Sequence, residues 1–357
     1  MTQLLDDTTQ IPALTIGLDV GDRTTQLYAV DAGGRCVEER PLATTPAGLT
    51  AGFAERAPCR VVLEVGTHSP WMARQLTTLG HTVYVANPSA MYGTRRRRKR
   101  NDRLDAAFLA RQGRADVALL YPIQHRSAQA SAHLEVLRAR DVVVRTRTAL
   151  INHVRGSVKS VGVRLPASSA DAFVRRVTAT IPPTVQPALA PMLATIAALT
   201  TTIHAYDAQL AALIATTYPV AQRLQQPTGV GPLTALAFVL LVDDPTRFRD
   251  SRAVGAYFGL VPRLDESGTL TPQLRITKAG DPLGRRLLVS AAHYILGPFG
   301  PPCDLRTAGA QLMVRGGVNA KKRAVIAVAR KLAVLLHHLW VHDLAYTPDH
   351  LARQRAA

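Results

Sequence analysis

The chain has 357 residues, which is long enough for two or three domains that each bury a hydrophobic core. Its 43 Lys and Arg residues against 25 Asp and Glu residues give a formal net charge of +18, which favours a polyanionic partner such as nucleic acid. Three widely separated cysteines, polar first residues and no apolar run of roughly 20 residues speak against a disulfide framework or zinc site, a signal peptide and a membrane span, so we expect a soluble cytoplasmic protein.

Residues 13–127 have the pattern of a small α/β domain. Residues 15–30 alternate apolar and polar side chains around a Gly-Asp turn, which predicts two paired strands. Two further short apolar strands are predicted at 60–65 and 81–86, with a helix between them. A helix is then predicted at 101–114. Strands followed by alternating strands and helices are typical of an α/β domain with a mixed sheet.

Residues 128–221 change character and predict a helical spacer. The stretch 128–160 is rich in Ala, Leu, Val and Arg at helical spacing, and a second long helix with few acids is predicted at 192–218. Prolines interrupt the sequence between these two helices. The pair fits a coiled-coil dimerisation element and fits an ordinary helical subdomain equally well.

Residues 222–345 predict a third, mainly helical domain. The sequence Pro-Thr-Gly-Val-Gly-Pro at 227–232, followed by an apolar helix at 233–242, resembles a helix-hairpin-helix turn. Such turns offer backbone N–H groups to a nucleic-acid phosphate without reading the base sequence. A basic helix is predicted at 320–340.

Four acidic residues are candidates for a metal site. In the strand IGLDVG, alternation places Asp19 on one face with two glycines, which leaves room for a bulky anion. Glu64 lies in an apolar strand, where a carboxylate is costly unless it is paired or bound to metal. Asp102 and Asp105 share one face of a helix. Because Mg²⁺ prefers oxygen ligands and supports phosphoryl transfer, these acids predict a Mg²⁺-dependent nuclease core.

A run of six basic residues directly precedes the acidic pair. It comprises Arg95, Arg96, Arg97, Arg98, Lys99 and Arg100. A cationic segment beside carboxylates would bring a polyanion to a metal ion, although the run by itself is also typical of a solvated loop. A membrane surface is a weaker alternative, because the run has no apolar helical face.

Each acid also has a purely structural interpretation. Asp102 and Asp105 can stabilise the start of a helix. Asp19 can be a solvated acid next to a turn, and Glu64 can pair with an arginine. The order of the four acids and their place beside the arginine run favour the metal site.

The same residues resemble the motifs of a known family. Asp19 in IGLDVG, Glu64 in LEVG, and Asp102 and Asp105 in KRNDRLDA are similar to the DEDD tetrad of the transposases related to the Piv DNA invertase. These transposases form the IS-one-ten family of insertion sequences. Further segments that resemble the family's second conserved region are PTGVGPLT (227–234), AYFGL (256–260), ESG (266–268), ITKAG (276–280) and KKRAVIAVAR (321–330).

This resemblance implies a two-part transposase. The N-terminal part would have a RuvC-like, RNase H-type fold, in which Asp19, Glu64, Asp102 and Asp105 coordinate Mg²⁺. The C-terminal part would carry a serine nucleophile, matched here by Ser267, which forms a covalent phosphoserine link to DNA so that strands are exchanged and rejoined without ATP. A bridge RNA would select the donor and target DNA, and the enzyme would act as a homodimer or homotetramer at the bacterial nucleoid.

Several basic residues around the proposed nucleophile are candidates for contacts to phosphate. They are Arg275, Lys278, Lys321, Lys322 and Arg323. Ser251 and Ser290 compete with Ser267 as nucleophiles. The stretch 269–273 departs from the family, since it lacks the glycine- and basic-rich loop expected there.

Three other functions remain open from the sequence. A RuvC-like nuclease or junction resolvase would use the same four acids with water as the nucleophile. The segment 19–24 also resembles the first phosphate loop of actin-like sugar kinases and ATPases, but the second Asp-Gly loop and the adenosine-binding glycine pair of those enzymes are not found. A non-catalytic nucleic-acid scaffold would leave Glu64 without a purpose.

Overall fold

A computed structural model of the chain describes residues 12–91, 102–263 and 274–349. The chain divides into two compact units, with the boundary between Arg126 and Ser127. The basic run at 95–100 and Ser267 lie outside the described residues.

The first unit is a mixed five-stranded sheet with helices on both faces. Its strands are β1 (Leu14–Val20), β2 (Thr24–Asp31), β3 (Cys36–Ala43), β4 (Arg60–Glu64) and β5 (Thr82–Ala86). Their order is β3-β2-β1-β4-β5. β1 to β3 pair antiparallel, whereas β4 is parallel to both β1 and β5. The mixed sheet is as predicted from the sequence, and it is compatible with an RNase H-like fold.

Four helices accompany these strands: α1 (Pro46–Phe53), α2 (Ser69–Thr78), α3 (Pro88–Met91) and α4 (Asp102–Ala115). The sequence pattern predicted α2 and α4 but missed β3 and α1. β3 is an edge strand in which exposed residues alternate with partly buried ones and the central residues are charged, so it has no apolar run to reveal it. α1 is an apolar helix of eight residues, or about two turns, that starts at a proline. Thr45 caps it by accepting the Gly48 N–H at 3.1 Å.

The two faces of the sheet carry different cores because successive side chains alternate. On one face, Ile16, Leu18 and Leu63 are fully buried with residues of α1 and α2. On the other face, Val62 and Tyr84 are buried against residues that include Leu109 of α4. Gly17 lies in β1 between Ile16 and Leu18, which face α1 and α2, so Gly17 is on the opposite face of the sheet. This opposite face is the one that α4 covers.

Two glycines allow α4 to lie directly on the sheet backbone. A Cβ atom on Gly17 would lie 2.1 Å from the carbonyl oxygen of Ala106 and 2.5 Å from the nitrogen of Ala110. A Cβ atom on Gly113 of α4 would lie 2.4 Å from a methyl group of Val62. Both distances are far below van der Waals contact, so any side chain at these positions would push the helix away from the sheet.

The named elements in the described residues of the second unit are all helices, and one isolated antiparallel β-bridge joins Pro262 to Ile276. Its helices are α5 (Ala128–Ser160), α6 (Phe173–Val177), α7 (Gln186–Thr216), α8 (Pro219–Arg223), α9 (Pro232–Val242), α10 (Ala253–Tyr257), α11 (Pro282–Leu296), α12 (Asp304–Val314) and α13 (Ala320–Val341). α7 begins at Gln186 and not at 192 as predicted. Pro187 stands in its first turn, where a proline loses no hydrogen bond, and Pro191 is accommodated inside the helix.

α5 and α7 form a long antiparallel hairpin with a core at each end. The start of α5 and the end of α7, with Leu134 and Leu210, belong to the main core of the second unit together with α9, α11 and α13. The end of α5 and the start of α7, with Val154 and Ile196, form a separate core with Phe173 of α6. The helical spacer predicted at 128–221 is therefore a hairpin whose far end has its own core.

The turn at 227–232 joins α8 to α9, as the helix-hairpin-helix resemblance suggested. The N–H of Val230 donates to the carbonyl of Pro227 at 3.1 Å, and Gly229 has a φ of +81°. A Cβ atom on Gly229 would lie 2.8 Å from the carbonyl oxygen of Ala291, so the turn is packed closely on α11. The phosphate-binding role of this turn stays a prediction.

Among the described residues, two helices are long and apolar enough to cross a bilayer by length and composition alone: α7 and α13. The sequence analysis expected no apolar stretch of this length, and by length and composition these two helices contradict that expectation. Of the apolar window of α13, 56% is buried inside the second unit, as in the core helix of a soluble protein, against 22% for α7. Length and composition are weak evidence for a membrane span.

We predict that Gly17→Ala destabilises the first unit by about 2–3 kcal/mol, because the added methyl group overlaps the backbone of α4. Urea unfolding, followed by circular dichroism, measures this loss. The control is Gly156→Ala in α5, where a Cβ atom meets nothing within 4 Å. It should leave stability unchanged or raise it by about 0.5–1 kcal/mol. Equal unfolding midpoints for Gly17→Ala and the unmodified chain would contradict the close packing of α4.

Candidate active site

A cavity of about 310 Å³ opens at the carboxyl ends of β1 and β4. Its lining residues are Asp19, Val20, Asp22, Glu64, Val65, Gly66, Thr67 and His68. In the parallel register Leu18 is level with Leu63, so the next residues along the two strands, Asp19 and Glu64, are neighbours. Both acids are half-buried. The structure thus brings together the two strand acids predicted from the sequence.

Asp19 and Glu64 lie on the sheet face that α4 covers. Gly17 and Val62 contact α4, and each acid follows one of these residues by two positions. Since side chains two apart in a strand point to the same side, both carboxylates lie on the α4 face. The opposite face belongs to the apolar core around α1 and α2.

The direction of α4 carries the helical acids to the same end of the sheet. Gly113 lies near Thr15 and Ala106 lies over Gly17, so α4 runs antiparallel to β1. From Ala106 back to Asp102 the helix advances about 6 Å, which is close to the advance of roughly 6.6 Å from Gly17 to Asp19 along β1. Asp102 is exposed and Asp105 is half-buried.

An ion pair ties the first turn of α4 to the edge of the sheet. Nε of Arg103 lies 2.6 Å from a carboxylate oxygen of Glu39 in β3. At the other end of the helix, the buried Arg60 donates from Nη1 to the carbonyl oxygen of Gly113 at 2.8 Å. These contacts fix both ends of the helix that carries the acidic pair.

The donor chemistry of the site suits a hard divalent cation, since four carboxylates share one end of one sheet face. However, in the described parts of the chain no three His, Cys, Asp or Glu side chains lie close enough together to hold one metal ion. Three carboxylates, those of Asp19, Asp22 and Glu64, line the cavity, and the direction of α4 carries the helical pair toward the same end of the sheet. The structure therefore places Asp19 and Glu64 at one cavity, but within the described residues the four acids are not assembled into a coordination sphere.

The sequence analysis missed His68 and Asp22, which line the same cavity. The indole N–H of Trp71 donates to Nδ1 of His68 at 3.1 Å, so the imidazole proton resides on Nε2. Nε2 lies 3.3 Å from a carboxylate oxygen of Asp22. The sequence signal was present, because His68 follows the strand of Glu64 and immediately precedes α2.

The chain segments that flank Ser267 pair with each other. The N–H of Arg263 donates to the carbonyl of Arg275 at 2.9 Å, and the N–H of Thr277 donates to the carbonyl of Val261 at 2.9 Å. Arg275 and Lys278 are exposed on the second segment. Ser267 itself lies outside the described residues, so its role stays a prediction.

The predicted phosphate ligands at the start of α13 are exposed. Lys321, Lys322 and Arg323 lie in the first turn of that helix. Arg323 also donates from Nη2 to the carbonyl of Gly316 at 3.0 Å, which holds the α12–α13 turn. Of the competing nucleophiles, Ser290 is exposed in the middle of α11.

Ser251, the other competing nucleophile, forms a hydrogen bond with a buried histidine. His337 of α13 is 2% exposed, and its Nε2 lies 2.9 Å from the carbonyl oxygen of Pro245. Because a carbonyl can only accept, Nε2 carries the proton, and Nδ1 accepts from the Ser251 hydroxyl at 2.9 Å. Burial lowers the pKa of His337 despite the opposing effect of the Pro245 carbonyl. The pair connects α13 to the segment before α10.

Comparison with known proteins identifies relatives along most of the chain. A model of IS110 DEDD transposases matches residues 16–162, which include all four acids. A model described as transposase IS116/IS110/IS902 family matches residues 221–302, which include Ser251 and Ser267. The two matches together cover more than half of the chain.

Individual relatives match over nearly their whole length. A probable family 20 transposase of Pseudomonas aeruginosa is 29% identical over 343 residues, which cover 93% of this chain and 98% of the relative. The transposase for insertion sequence element IS1111A of Coxiella burnetii is 28% identical over 344 residues, covering 93% and 90%. The transposase for IS1328 of Yersinia enterocolitica is 28% identical over 293 residues, covering 79% and 83%.

We predict that His337 makes the stability of the second unit fall as the pH drops below about 6.5. The unfolded chain binds a proton at the usual pKa of 6.5, whereas the folded pKa is lower, so the unfolded state takes up more protons in this window. Urea unfolding at several pH values from 8 to 5 measures the slope, and His337→Gln serves as the comparison. The variant should be less stable at pH 8 but lose less stability on acidification. If the unmodified chain and His337→Gln lose the same stability between pH 8 and pH 5, His337 is not the group that causes the loss.

Proposed function

Because the chain belongs to the IS110 family of DEDD transposases, we propose that it is an insertion-sequence recombinase with a Mg²⁺-dependent acidic site and a serine nucleophile. The observation that carries the proposal is the neighbouring position of Asp19 and Glu64 at one cavity, with the acids of α4 directed to the same end of the sheet. Acidic residues gathered beside a phosphate-binding surface are typical of phosphoryl transfer.

Asp19, Glu64, Asp102 and Asp105 would hold Mg²⁺ by their carboxylate oxygens. When bound, Mg²⁺ would stabilise the negative charge that develops on the reacting phosphate. The room for an anion expected beside Asp19 is not free at the two glycines, because the backbone of α4 covers Gly17 and the carbonyl of Thr24 lies against Gly21. The α4–β1 packing would set the spacing between the strand acids and the helical acids, because the helix cannot move inward without a clash.

Ser267 would supply the nucleophile. Its Oγ would form a bond to the phosphorus of a DNA phosphodiester while the bond from phosphorus to one deoxyribose oxygen breaks. The serine proton passes to a base, and the released deoxyribose oxygen leaves as a hydroxyl, so one ester replaces another and no ATP is consumed. In the second step, a strand-end hydroxyl of the second DNA would attack the phosphorus of the phosphoserine. The serine would leave with its proton restored, and the two DNA strands would be joined. The paired segments on both sides of Ser267 and the exposed Arg275 support this location.

A bridge RNA would choose the donor and target DNA by base pairing, so that the protein need not read sequence itself. The net charge of +18 supports the binding of an RNA in addition to DNA, because the phosphates of both would be neutralised by Lys and Arg side chains. The exposed Lys321 and Lys322 and the turn at 227–232 are suited to phosphate contacts.

We also propose three domains at 13–127, 128–221 and 222–345. The separate core at the far end of the α5–α7 hairpin supports the middle one. The competing proposal, a RuvC-like nuclease that uses water, would need only the first of these domains. A match to the transposase family across 221–302 favours the recombinase.

The exposed face of α7 supports a homodimer. Ala194, Ala198, Thr201, Ala205, Ala208 and Ala212 recur every three or four residues and are all exposed. Small residues at this spacing let a second helix approach closely, as in a coiled coil. Residues 186–206 of this helix contain no charged side chain that would oppose such packing. We propose that two copies of the chain pair along this face.

A trapping experiment tests the chemistry. Protein, its flanking noncoding RNA and end-labelled DNA are incubated with Mg²⁺, and label on the denatured protein is measured. We expect a labelled band that Ser267→Ala removes. Glu64→Gln should lower the rate of label transfer by roughly 10²-fold or more, because a charged ligand of the reacting centre becomes neutral. DNA binding should change little in both variants.

The matched control is Asp22→Asn, which neutralises an exposed carboxylate in the same cavity outside the four acids. It should keep most of the activity. Cleaved DNA without protein-bound label would establish the water nuclease instead. Full activity of Glu64→Gln would remove the acidic site from the mechanism.

Sedimentation velocity tests the dimer. Ala198→Glu combined with Ala205→Glu should convert a dimer to a monomer, because two carboxylates would be buried without partners in the helix–helix contact. The control, Thr148→Glu with Asn152→Glu, adds the same charge to exposed positions of α5 and should remain dimeric. A dimer that survives the α7 substitutions, or an unmodified chain that is monomeric, would contradict the proposed contact.

A further inference from the structure

The cations of the α5–α7 hairpin fall into two groups with different surroundings. Along the shaft of the hairpin, each arginine of α5 has a carboxylate partner. The four pairs are Arg138–Asp281 at 2.8 Å, Arg140–Asp207 at 2.5 Å, Arg145–Asp141 at 3.1 Å and Arg147–Asp171 at 2.6 Å. The shaft therefore carries little uncompensated charge.

The far end of the hairpin, which we call the hairpin tip and define as residues 151–196, is different. It contains Arg155, Lys159, Arg164, Arg175 and Arg176 but a single acid, Asp171. That carboxylate is already engaged by Arg147 of the shaft and by His204. Within the described residues, none of the five tip cations has a carboxylate within ion-pair distance. Positive charge is thus concentrated at the tip and not spread evenly over the hairpin.

The tip core makes this surface a fixed platform. Val154, Val158, Phe173 and Val177 are fully buried beneath it. The guanidinium of Arg155 lies over the ring of Phe173, 5.1 Å from its centroid, and donates to the Ser168 hydroxyl at 3.2 Å. A rigid arrangement of cations loses less entropy when it binds a rigid partner.

Several tip cations point into solvent. Lys159, Arg164, Arg175 and Arg176 are all exposed. The guanidinium of Arg176 donates from Nη1 to the carbonyl of Ala167 at 3.3 Å. The four side chains come from the end of α5, from the loop that follows it and from α6, so they do not line a single helix.

The side chains exposed at the tip indicate which class of partner it binds. Phe173 is the only Phe, Tyr or Trp of the tip and is fully buried. The single exposed ring is the imidazole of His153, which is hydrogen-bonded to the Ser157 hydroxyl, and one such ring does not make a stacking platform for unpaired bases. Val161, which is 41% exposed, is the one large apolar side chain prominent at its surface among the described residues, too little for insertion into a lipid surface. Cations without stacking or apolar groups suit the phosphates of a double helix.

We propose that the hairpin tip binds the phosphate backbone of duplex DNA without reading sequence. About 21 residues of helix at 1.5 Å each separate Arg138 of the shaft from Lys159, a reach of roughly 30 Å. The tip would hold DNA at that distance from the main core of the second unit. This proposal concerns binding alone and does not depend on the acidic site, on Ser267 or on a guide RNA.

The salt dependence of DNA binding tests it. The full-length protein is titrated into a labelled random-sequence DNA duplex at several NaCl concentrations, and the slope of log K against log [salt] is measured by fluorescence anisotropy. Arg175→Gln combined with Arg176→Gln should reduce the slope by about 1.5–2 and weaken binding roughly 10- to 30-fold at physiological salt, because two phosphate contacts are lost. Lys159→Gln with Arg164→Gln is a second, independent variant with the same expected direction.

The matched control removes two charges that have partners. Arg145→Gln combined with Arg223→Gln changes the net charge by the same amount, but these arginines pair with Asp141 and Asp343. Its slope should change by less than half as much. Circular dichroism and thermal unfolding confirm that all variants are folded.

Three results would overturn the proposal. Equal slope changes in the tip and control variants would mean that net charge alone acts. An unchanged slope in both tip variants would mean that the tip does not touch DNA. A loss of affinity confined to a duplex RNA probe, with DNA binding intact, would assign the tip to RNA.

Discussion

The contact between α4 and β1 is the constraint on which the first unit depends. Without a Cβ atom on Gly17, the helix backbone approaches the strand so closely that the carbonyl of Ala106 occupies the place of a side chain. This contact determines which face of the sheet is covered, which end of α4 lies beside the cavity and how near Asp102 and Asp105 come to the strand acids. Side-chain packing could not fix that spacing as tightly, because side chains can change rotamer, whereas two backbones in contact cannot yield.

Polar contacts at both ends of α4 reinforce this packing. Arg103 is paired with Glu39 at the start of the helix, and Arg60 binds the Gly113 carbonyl near its end. A buried arginine at the carbonyl end of a helix satisfies an oxygen that has no partner within the helix and complements the helix dipole. The guanidinium of Arg60 also lies 5.7 Å from the centroid of the Tyr84 ring, which gives the charge a further favourable neighbour in the interior.

In the α5–α7 hairpin of the second unit, some cations are paired with carboxylates and others are not. In the shaft of the α5–α7 hairpin, arginines are matched by carboxylates from α5, from α7, from the start of α11 and from the segment before α6. Three of these pairs connect segments that are distant in sequence, whereas Arg145–Asp141 lies within α5. Burial opposes ionisation of Asp281, but its hydrogen bonds to Arg138 and to the first turn of α11 lower its pKa below the usual value. At the hairpin tip, which has a core of its own, the cations have no carboxylate partners among the described residues. On the described part of this hairpin, the arginines of the shaft are therefore paired with carboxylates, whereas the cations of the tip are not.

The sequence by itself determined the elements that have strong local patterns and the identity of the acids. β1, β4 and β5 are short apolar runs, α5 and α9 have long helical patterns, and Asp19 and Glu64 were conspicuous as carboxylates in apolar strands. β3 and α1 were missed because an exposed edge strand has no apolar run and a short helix has too few turns to show a period. Only the tertiary structure decided that Asp19 and Glu64 are neighbours, that α4 runs antiparallel to β1, and that His68 faces Asp22. Those facts depend on strand order, register and helix direction, which arise from contacts between residues far apart in the chain, and no local pattern encodes them.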